Sequence, residues 1–298
     1  LVPDAAGLAE ARRIAALHNL PDVAVTASPS LDITELQPWG WSGHMANIFA
    51  RAGVDASLLP SPEALAGMRL LSHRRTAIEV LKHIGWHSEL MPVEASMVDE
   101  AVDLLRRRGK AVMKLPWSGS GRGVIMAHEI PLATLRGYIE GVIRRQGSII
   151  VEPWYERVLD FAMLFDITYT AVSFTGLSVF ASDTRGRYAG NIVASQQHLA
   201  GLIGSDVSYL IPPVAQALRD ITAGLYRGPV GVDMMVYRTA SSGHTAIMPC
   251  IEVNMRNTMG MVAERLARKG LRGVLRYCPE PDMGGTILSG SGPCFKIE

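Results

Sequence analysis

Eight residues in the last third of the chain, Pro249-Cys250-Ile251-Glu252-Val253-Asn254-Met255-Arg256, constrain the fold most. An acid, an amide and a base alternate there with apolar Ile251, Val253 and Met255. Residues two apart on an extended strand share a face, so Glu252, Asn254 and Arg256 point one way and the apolar residues the other. A half-buried strand with a polar solvent face shows the same alternation. The sharper reading rests on the chemistry of the set. Two oxygen ligands beside a guanidinium are what a magnesium–polyphosphate site requires, hard oxygens for the metal and a fork of donors for phosphate. Two further segments decide between these readings.

The first is Lys114-Leu115-Pro116-Trp117-Ser118-Gly119-Ser120-Gly121-Arg122-Gly123-Val124. Gly119, Gly121 and Gly123 let backbone amides turn toward an anion, and Ser118 and Ser120 add hydroxyl donors. Lys114, on the strand entering the loop, supplies a point charge for phosphate. The lysine precedes the glycines and no Gly-Lys-Ser/Thr opens a helix, so this is not a Walker P-loop. A strand rather than a helix follows, which excludes a dinucleotide fingerprint. Strand, loop and strand instead describe a hairpin able to lie over phosphates as a lid. In the second segment an apolar strand, 149–152, runs into a turn with Glu152, Trp154 and Glu156, then into a strand bearing Asp160. Such a linker can offer backbone groups to an adenine edge and a carboxylate to ribose hydroxyls, and it equally describes an ordinary turn.

Helical spacing predicts helices over 5–18, 45–52, 74–84, 98–108, 132–145, 210–226 and 264–269, with another opening at Pro62 behind Ser61. Strands are expected over 22–27, 111–115, 124–127, 148–152, 160–168, 169–180, 231–237 and 246–254. Residues 37–44 read as turn-rich and 184–191 as a glycine-rich loop, and the glycine-rich tail from Pro279 has no legible pattern. Helices first and strands later describe an α+β protein with antiparallel sheets. The 298 residues suffice for one large domain or two to three smaller ones. A 48% hydrophobic and 19% charged composition is that of a globular chain and excludes disorder. Net charge of +1 makes no electrostatic case for a nucleic-acid or membrane partner. No apolar run approaches the roughly 18–20 residues of a transmembrane helix. Leu1-Val2-Pro3-Asp4 shows no signal-peptide pattern, and the missing Met suggests a trimmed or truncated start. Cys250, Cys278 and Cys294 lack metal-ligand spacing and read as reduced, small hydrophobes in a cytoplasmic protein.

Several residues admit two readings. Trp39 and Trp41 are expected to pack in the core rather than wall a substrate pocket. His73 is read as a helix-start residue rather than a phosphate contact. Met234, Met235, Met255, Met259 and Met261 read as core filler. Arg185, Arg187 and Asn191 suit a carboxylate substrate, two cations and an amide on one loop, or form a solvated loop. No Ser/His/Asp or Cys/His nucleophilic arrangement is evident.

Taken together, these segments resemble the ATP-grasp superfamily of the carboxylate–amine/thiol ligase type. Its pattern is a lysine with a glycine-rich lid, a hinge bearing Glu, and an acid (here Asp233 in Gly231-Val232-Asp233-Met234-Met235) ahead of Glu-x-Asn-x-Arg. The motifs run in the family's order over residues 72–265. A bacterial branch of the superfamily is matched through Gln37-Pro38-Trp39-Gly40-Trp41, Leu71-Ser72-His73-Arg74 and Gly186-Arg187-Tyr188-Ala189-Gly190-Asn191, among other stretches. The resemblance implies two α+β subdomains gripping ATP, behind a Rossmann-like N-terminal subdomain of which only fragments are legible. Its expected boundaries are 1–70 for the N-terminal unit, 71–153 for the lid with its leading helices, and 154–298 for the unit with the metal site.

For the site, the resemblance implies that Asp233, Glu252 and Asn254 bridge two Mg2+ ions, with Mn2+ as substitute, to the β- and γ-phosphates. Lys114 would contact the α/β phosphates. Arg74 would stand where the family carries a phosphate-binding lysine, with Arg75 as the alternative. Ser118, Gly119, Ser120, Gly121, Arg122 and Gly123 would close over the γ-phosphate. Glu152 and Trp154 would flank adenine, and Asp160, or Glu156, would take the ribose. Arg256 would hold phosphate or an acyl phosphate, so Arg256 and Lys114 are the residues expected to act in catalysis. The implied activity is ADP-forming ligation of a small-molecule or peptide carboxylate to an amine, with a homodimer left open. A small-molecule kinase and a non-catalytic ATP-binding regulatory protein are the alternatives.

Overall fold

The computed structural model describes residues 36–118, 123–182, 188–239, 243–278, 286–287 and 294–297. The helix expected over 5–18 and the strand over 22–27 lie outside them. Three helices lead the described chain, each with a marked start. Helix α1 (Gly43–Arg51) begins where Ser42 Oγ accepts from Met45 N, and α2 (Pro62–Leu71) where Ser61 Oγ accepts from Ala64 N. Helix α3 (Arg75–His83) has no hydroxyl cap; His73 Nδ1 accepts from Arg75 N at 3.0 Å instead. Gly85, at φ +69°, follows its end as a left-handed stop.

A four-stranded antiparallel sheet comes next, built from β1 (Val93–Ala95), β2 (Ala111–Lys114), β3 (Val124–Met126) and β4 (Ile149–Pro153) in the order β1–β4–β2–β3. Helices α4 (Val98–Arg108) and α5 (Leu132–Gln146) pack on it around Ala101, Leu105, Leu135, Ile139 and Val151. Helix α4 carries Asp99 and Glu100 in its first turn and three arginines in its last, matching its dipole at both ends.

The second sheet has eight strands. These are β5 (Glu156–Ile167), β6 (Val172–Ser182), β7 (Tyr188–Val193), β8 (Gly228–Arg238), β9 (Thr245–Asn254), β10 (Gly273–Cys278), β11 (Thr286–Ile287) and β12 (Cys294–Ile297). Their order is β11–β12–β10–β7–β6–β5–β8–β9, with antiparallel neighbours throughout. One face of β5 presents Phe161, Met163 and Phe165 to a core that includes Val80 and Leu81 of α3 and Val214 and Leu218 of α7 (Ile211–Thr222). Residues 71–81 therefore bury in the larger sheet's core, although they precede the smaller sheet in sequence. On the opposite face, Ala162, Leu164 and Phe180 pack under Met261 of α8 (Met259–Arg268). Helix α6 (Gln196–Ile203) adds Leu199 and Ile203 to the first core. Met234 and Met255 also sit there, as filler.

Several elements depart from the expectation. Residues 188–191, read as loop, form part of β7, held between β6 and β10. Gly190 is required at that point: its φ is +156°, and a Cβ would meet Leu275 O at 2.8 Å. Helix α8 starts at Met259, ahead of the 264–269 stretch where the sequence shows it, since Gly260 weakens the helical pattern at its head. Strands β1 and β10 and helix α6 were not expected at all. Among the described residues no helix is long and apolar enough to cross a membrane.

Leu81 is fully buried and Leu70, one helix earlier, is 63% exposed. Leu81→Ala should therefore cost about 2–5 kcal/mol, and Leu70→Ala no more than about 0.5 kcal/mol. Urea midpoints at unchanged slope measure both, and equal shifts for the two would contradict the packing of α3 on the larger sheet.

Candidate active site

Strands β8 and β9 place Asp233 directly opposite Glu252 and Gly231 opposite Asn254. Cross-strand partners share a face, and the row continues through Ala162 of β5 to Ser178 of β6. Asp160 lies on this face as well, two residues from Ala162. Asn254 Nδ2 donates to Asp233 Oδ2 at 3.0 Å, while its Oδ1 accepts from Arg256 at 2.8 Å. Base, amide and acid are thus chained together. β9 ends at Asn254, and Arg256 N donates to Asn254 O at 2.9 Å. The chain turns there and the guanidinium comes back to the strand. Gly40 permits that return, since a Cβ at this position would stand 2.9 Å from Arg256 Cβ. Asn257 donates from N to Trp39 O at 2.8 Å and from Nδ2 to Pro38 O at 3.2 Å, seating the 38–41 turn on the strand end.

Desolvation, and next the negative charge of Glu252, push the Asp233 carboxyl up to about 8, against the pull of Arg256 and the Asn254 hydrogen bond. Facing carboxylates of this kind are stabilised by a divalent cation. Among the described residues no three His, Cys, Asp or Glu gather as metal ligands. Magnesium does not need them, because it takes one or two carboxylates and completes its shell from water and phosphate. Asp233, Glu252 and the Asn254 amide oxygen fit that ion.

The facing jaw is cationic. Lys114, at the end of β2, pairs through Nζ with Glu152 Oε2 of β4 at 2.6 Å, both side chains being buried. Val112 stands opposite Glu152, which sets Lys114 one diagonal step along the same face. Arg74, its side chain 5% exposed, joins the jaws. It donates from Nη1 to Glu252 Oε2 at 3.0 Å, from Nε to Leu115 O at 3.1 Å, and from Nη2 to Ser118 O and Oγ, each at 3.3 Å. Arg75 turns to Glu94 at 2.9 Å, half in solvent, whereas Arg74 turns to Glu252. Cys250 lies buried between the jaws. Its thiol is pushed well up by burial, and it feels Asp233, Lys114, Glu152 and Glu252, the charges of both sheets.

The remaining expected site residues are placed as follows. Gly123, at φ +73°, accepts from Leu115 N at 2.9 Å and closes the β2–β3 hairpin. Gly119, Ser120, Gly121, Arg122, Arg185 and Arg187 lie outside the described residues. The ring partners of Trp154 are Lys110, with Nζ 5.4 Å from the ring centroid, and His128 at 6.2 Å. Asp160 pairs with Arg157 at 3.1 Å, and Glu156 with Arg238 at 3.2 Å, the latter pair exposed. Asn191 is buried and donates to Ser178 Oγ at 2.8 Å.

Trp39 is 47% exposed, contrary to the core packing expected for it. Trp41 packs on Phe49 and also lines a cleft of about 250 Å3 with Trp117, Ser72, Ser118, Gly40 and the 252–256 stretch. Sequence reading missed Trp117 and Ser72 as lining residues. Trp117 carried a signal, its place inside the lysine–glycine loop segment. Ser72 and Gly40 carried none, because their role exists only once distant segments meet.

Comparison with solved structures finds this fold in proteins of low sequence identity. The biotin carboxylase domain of Hydrogenobacter thermophilus 2-oxoglutarate carboxylase, solved with MgADP, ADP and bicarbonate, is 15% identical at a TM-score of 0.53, over 86% of this chain and 64% of its own. Campylobacter jejuni biotin carboxylase, solved with β,γ-ATP, is 12% identical at 0.51, over 86% and 68%. A D-cycloserine synthetase is 14% identical at 0.50, over 87% and 91%. The chain thus spans less than two thirds of the first of these domains. No protein-family model and no curated protein matches the sequence. Likeness at this identity establishes a shared fold.

The raised Asp233 carboxyl gives the metal-free protein a signed pH dependence. The unfolded chain releases this proton near 3.8 and the folded one near 8. Between those values the folded state holds the extra proton, so stability falls as pH rises from about 4 to about 8. In Asp233→Asn that slope should flatten, as read by denaturation midpoints in chelator across the window. An unchanged slope would show that Asp233 does not bear the strain.

Proposed function

On the ATP-grasp fold that the chain shares with these proteins, we propose that it is an ADP-forming ligase that activates a carboxylate with MgATP and couples it to an amine. The observation that carries this reading is the Arg74 bridge from Glu252 to the hairpin that follows Lys114, beside the hydrogen-bonded Asp233–Asn254–Arg256 set. The lid subdomain is taken as residues 71–153 and the metal-bearing subdomain as 154–298, behind an N-terminal unit over 1–70.

Lys114 and Arg74 meet the phosphates, each giving up an acid partner for a phosphate oxygen, Glu152 in one case and Glu252 in the other. Glu152 and Trp154 flank adenine, and Asp160 takes the ribose. Asp233, Glu252 and Asn254 would hold two magnesium ions, which supply charge neutralisation at the β- and γ-phosphate oxygens when bound. A carboxylate oxygen of the substrate attacks the γ-phosphorus while the bond to the β,γ-bridging oxygen breaks, giving an acyl phosphate and ADP. The amine nitrogen then attacks the acyl carbon, the C–O bond to phosphate breaks, and the surplus amine proton passes to solvent. Two of the five N–H donors of Arg256 are bound to Asn254 and Asn257. Its other donors hold the charge developing on the phosphoryl oxygens. Positioning and charge neutralisation dominate such a transfer, which suits a site with no nucleophile–base pair among its members.

Incubation with MgATP, pooled carboxylates and pooled amines should release ADP and phosphate only when both acid and amine are present. A stable phosphorylated acid formed without amine would make the protein a kinase instead. Thermal stabilisation by MgATP with no turnover would make it a nucleotide-binding protein. Glu252→Gln should lower magnesium-dependent turnover by about 10²–10³-fold, and wild-type rates in that variant would remove Glu252 from the metal site.

A further inference from the structure

The cleft beside Arg256 has walls from separate parts of the chain. Gly40 and Trp41 come from the turn ahead of α1, Trp117 and Ser118 from the small sheet's hairpin, and residues 252–256 form its floor. At about 250 Å3 it lies below the roughly 300–1,000 Å3 of common ligand pockets. A group of amino-acid size fits such a space and a nucleotide does not. Both indoles are braced from behind. Trp117 Nε1 donates to Arg69 O at 3.1 Å, the Arg69 guanidinium lies 5.0 Å from its ring centroid, and His73 meets it edge-on at 4.6 Å. Trp41 rests on Phe49 at 5.7 Å, in a segment pinned to β9 by Asn257. Walls held in this way are preorganised, so little ordering is lost when a ligand enters.

The lining divides chemically. Arg256 brings its unengaged N–H donors to the cleft, Glu252, Asn254, Ser72 and Ser118 add further polar groups, and the indoles of Trp41 and Trp117 supply the large apolar surfaces. An aromatic ring gains edge-to-face or offset contacts from such indoles beyond simple burial. A polar side chain set against the indole faces would forfeit hydrogen bonds to water. We infer that this cleft is the acid-binding subsite of the proposed ligase and selects carboxylates bearing a compact aromatic group, set against Trp41 and Trp117 with the carboxylate toward Arg256. The inference rests on the ligase reading and adds the substrate class and its specificity residues.

Isothermal titration of the MgADP-saturated protein with phenylacetate, benzoate, acetate and succinate tests it. The two aromatic acids should bind at least about tenfold more tightly than acetate, and succinate no better than acetate. Trp41→Ala should abolish that preference while MgADP binding, measured first, is kept. Trp41→Phe, which retains an aromatic wall, should keep the preference within about threefold. Equal affinity for phenylacetate and acetate in the wild type, or a preference surviving in Trp41→Ala, overturns the inference. Nucleotide binding without aromatic preference sinks this inference alone. Absence of nucleotide binding sinks the ligase reading, and the inference with it.

Discussion

Arg74 carries its positive charge in a place that solvent scarcely reaches, so every direction in which it donates must be met by a partner other than water. Glu252 of the larger sheet meets it on one side, and Leu115 and Ser118 of the smaller sheet's hairpin on the other. Losing either side would leave a buried charge without compensation. Arg74 N also donates to Pro116 O at 3.0 Å, so backbone and side chain both hold the hairpin. The helix that begins just after it is anchored in the larger core through Val80 and Leu81. Apolar packing thus fixes where the guanidinium sits, and the guanidinium fixes how the two sheets face each other.

That placement explains why one strand can carry both core and site. Met248, Cys250, Glu252 and Asn254 follow one another at period two along β9. The first two are fully buried, and Tyr155 Oη, which donates to Leu90 O at 2.6 Å, lies 3.7 Å from Met248 Sδ as a roof over them. Beyond the roof, Glu252 reaches the cleft. Helix α8 covers the same sheet face over β5 and β6, through Met261 against Ala162, Leu164 and Phe180. The acids occupy the part of the face that neither element covers.

What could be read from the sequence was what is decided locally. The alternation at 251–256, the Gly85 and Gly109 stops, the Ser61 cap and the lysine-to-glycine hairpin all depend on residues within a few positions of one another. The structure places those elements close to where they were expected. Tertiary contacts set the rest. Tyr188 to Asn191 has little strand preference of its own and becomes β7 because β6 and β10 supply partners on both sides. Trp39 looked like a core residue by type, yet its backbone carbonyl, not its ring, makes the structural contact. The pairing of Arg74 with Glu252 links residues 178 positions apart, and no local pattern announces it.

The amide of Asn254 bonds with opposite polarity at its two ends, giving a hydrogen to Asp233 and receiving one from Arg256. An aspartate at this position would have nearly the same shape and volume. It would nevertheless present two acceptors, lose the donor that Asp233 relies on, and put a third carboxylate beside the two already facing each other. By steric criteria the exchange is among the mildest the chain could suffer, and by charge it is among the harshest. The site is thus isosterically tolerant and electronically strict at one atom, where a nitrogen cannot be traded for an oxygen.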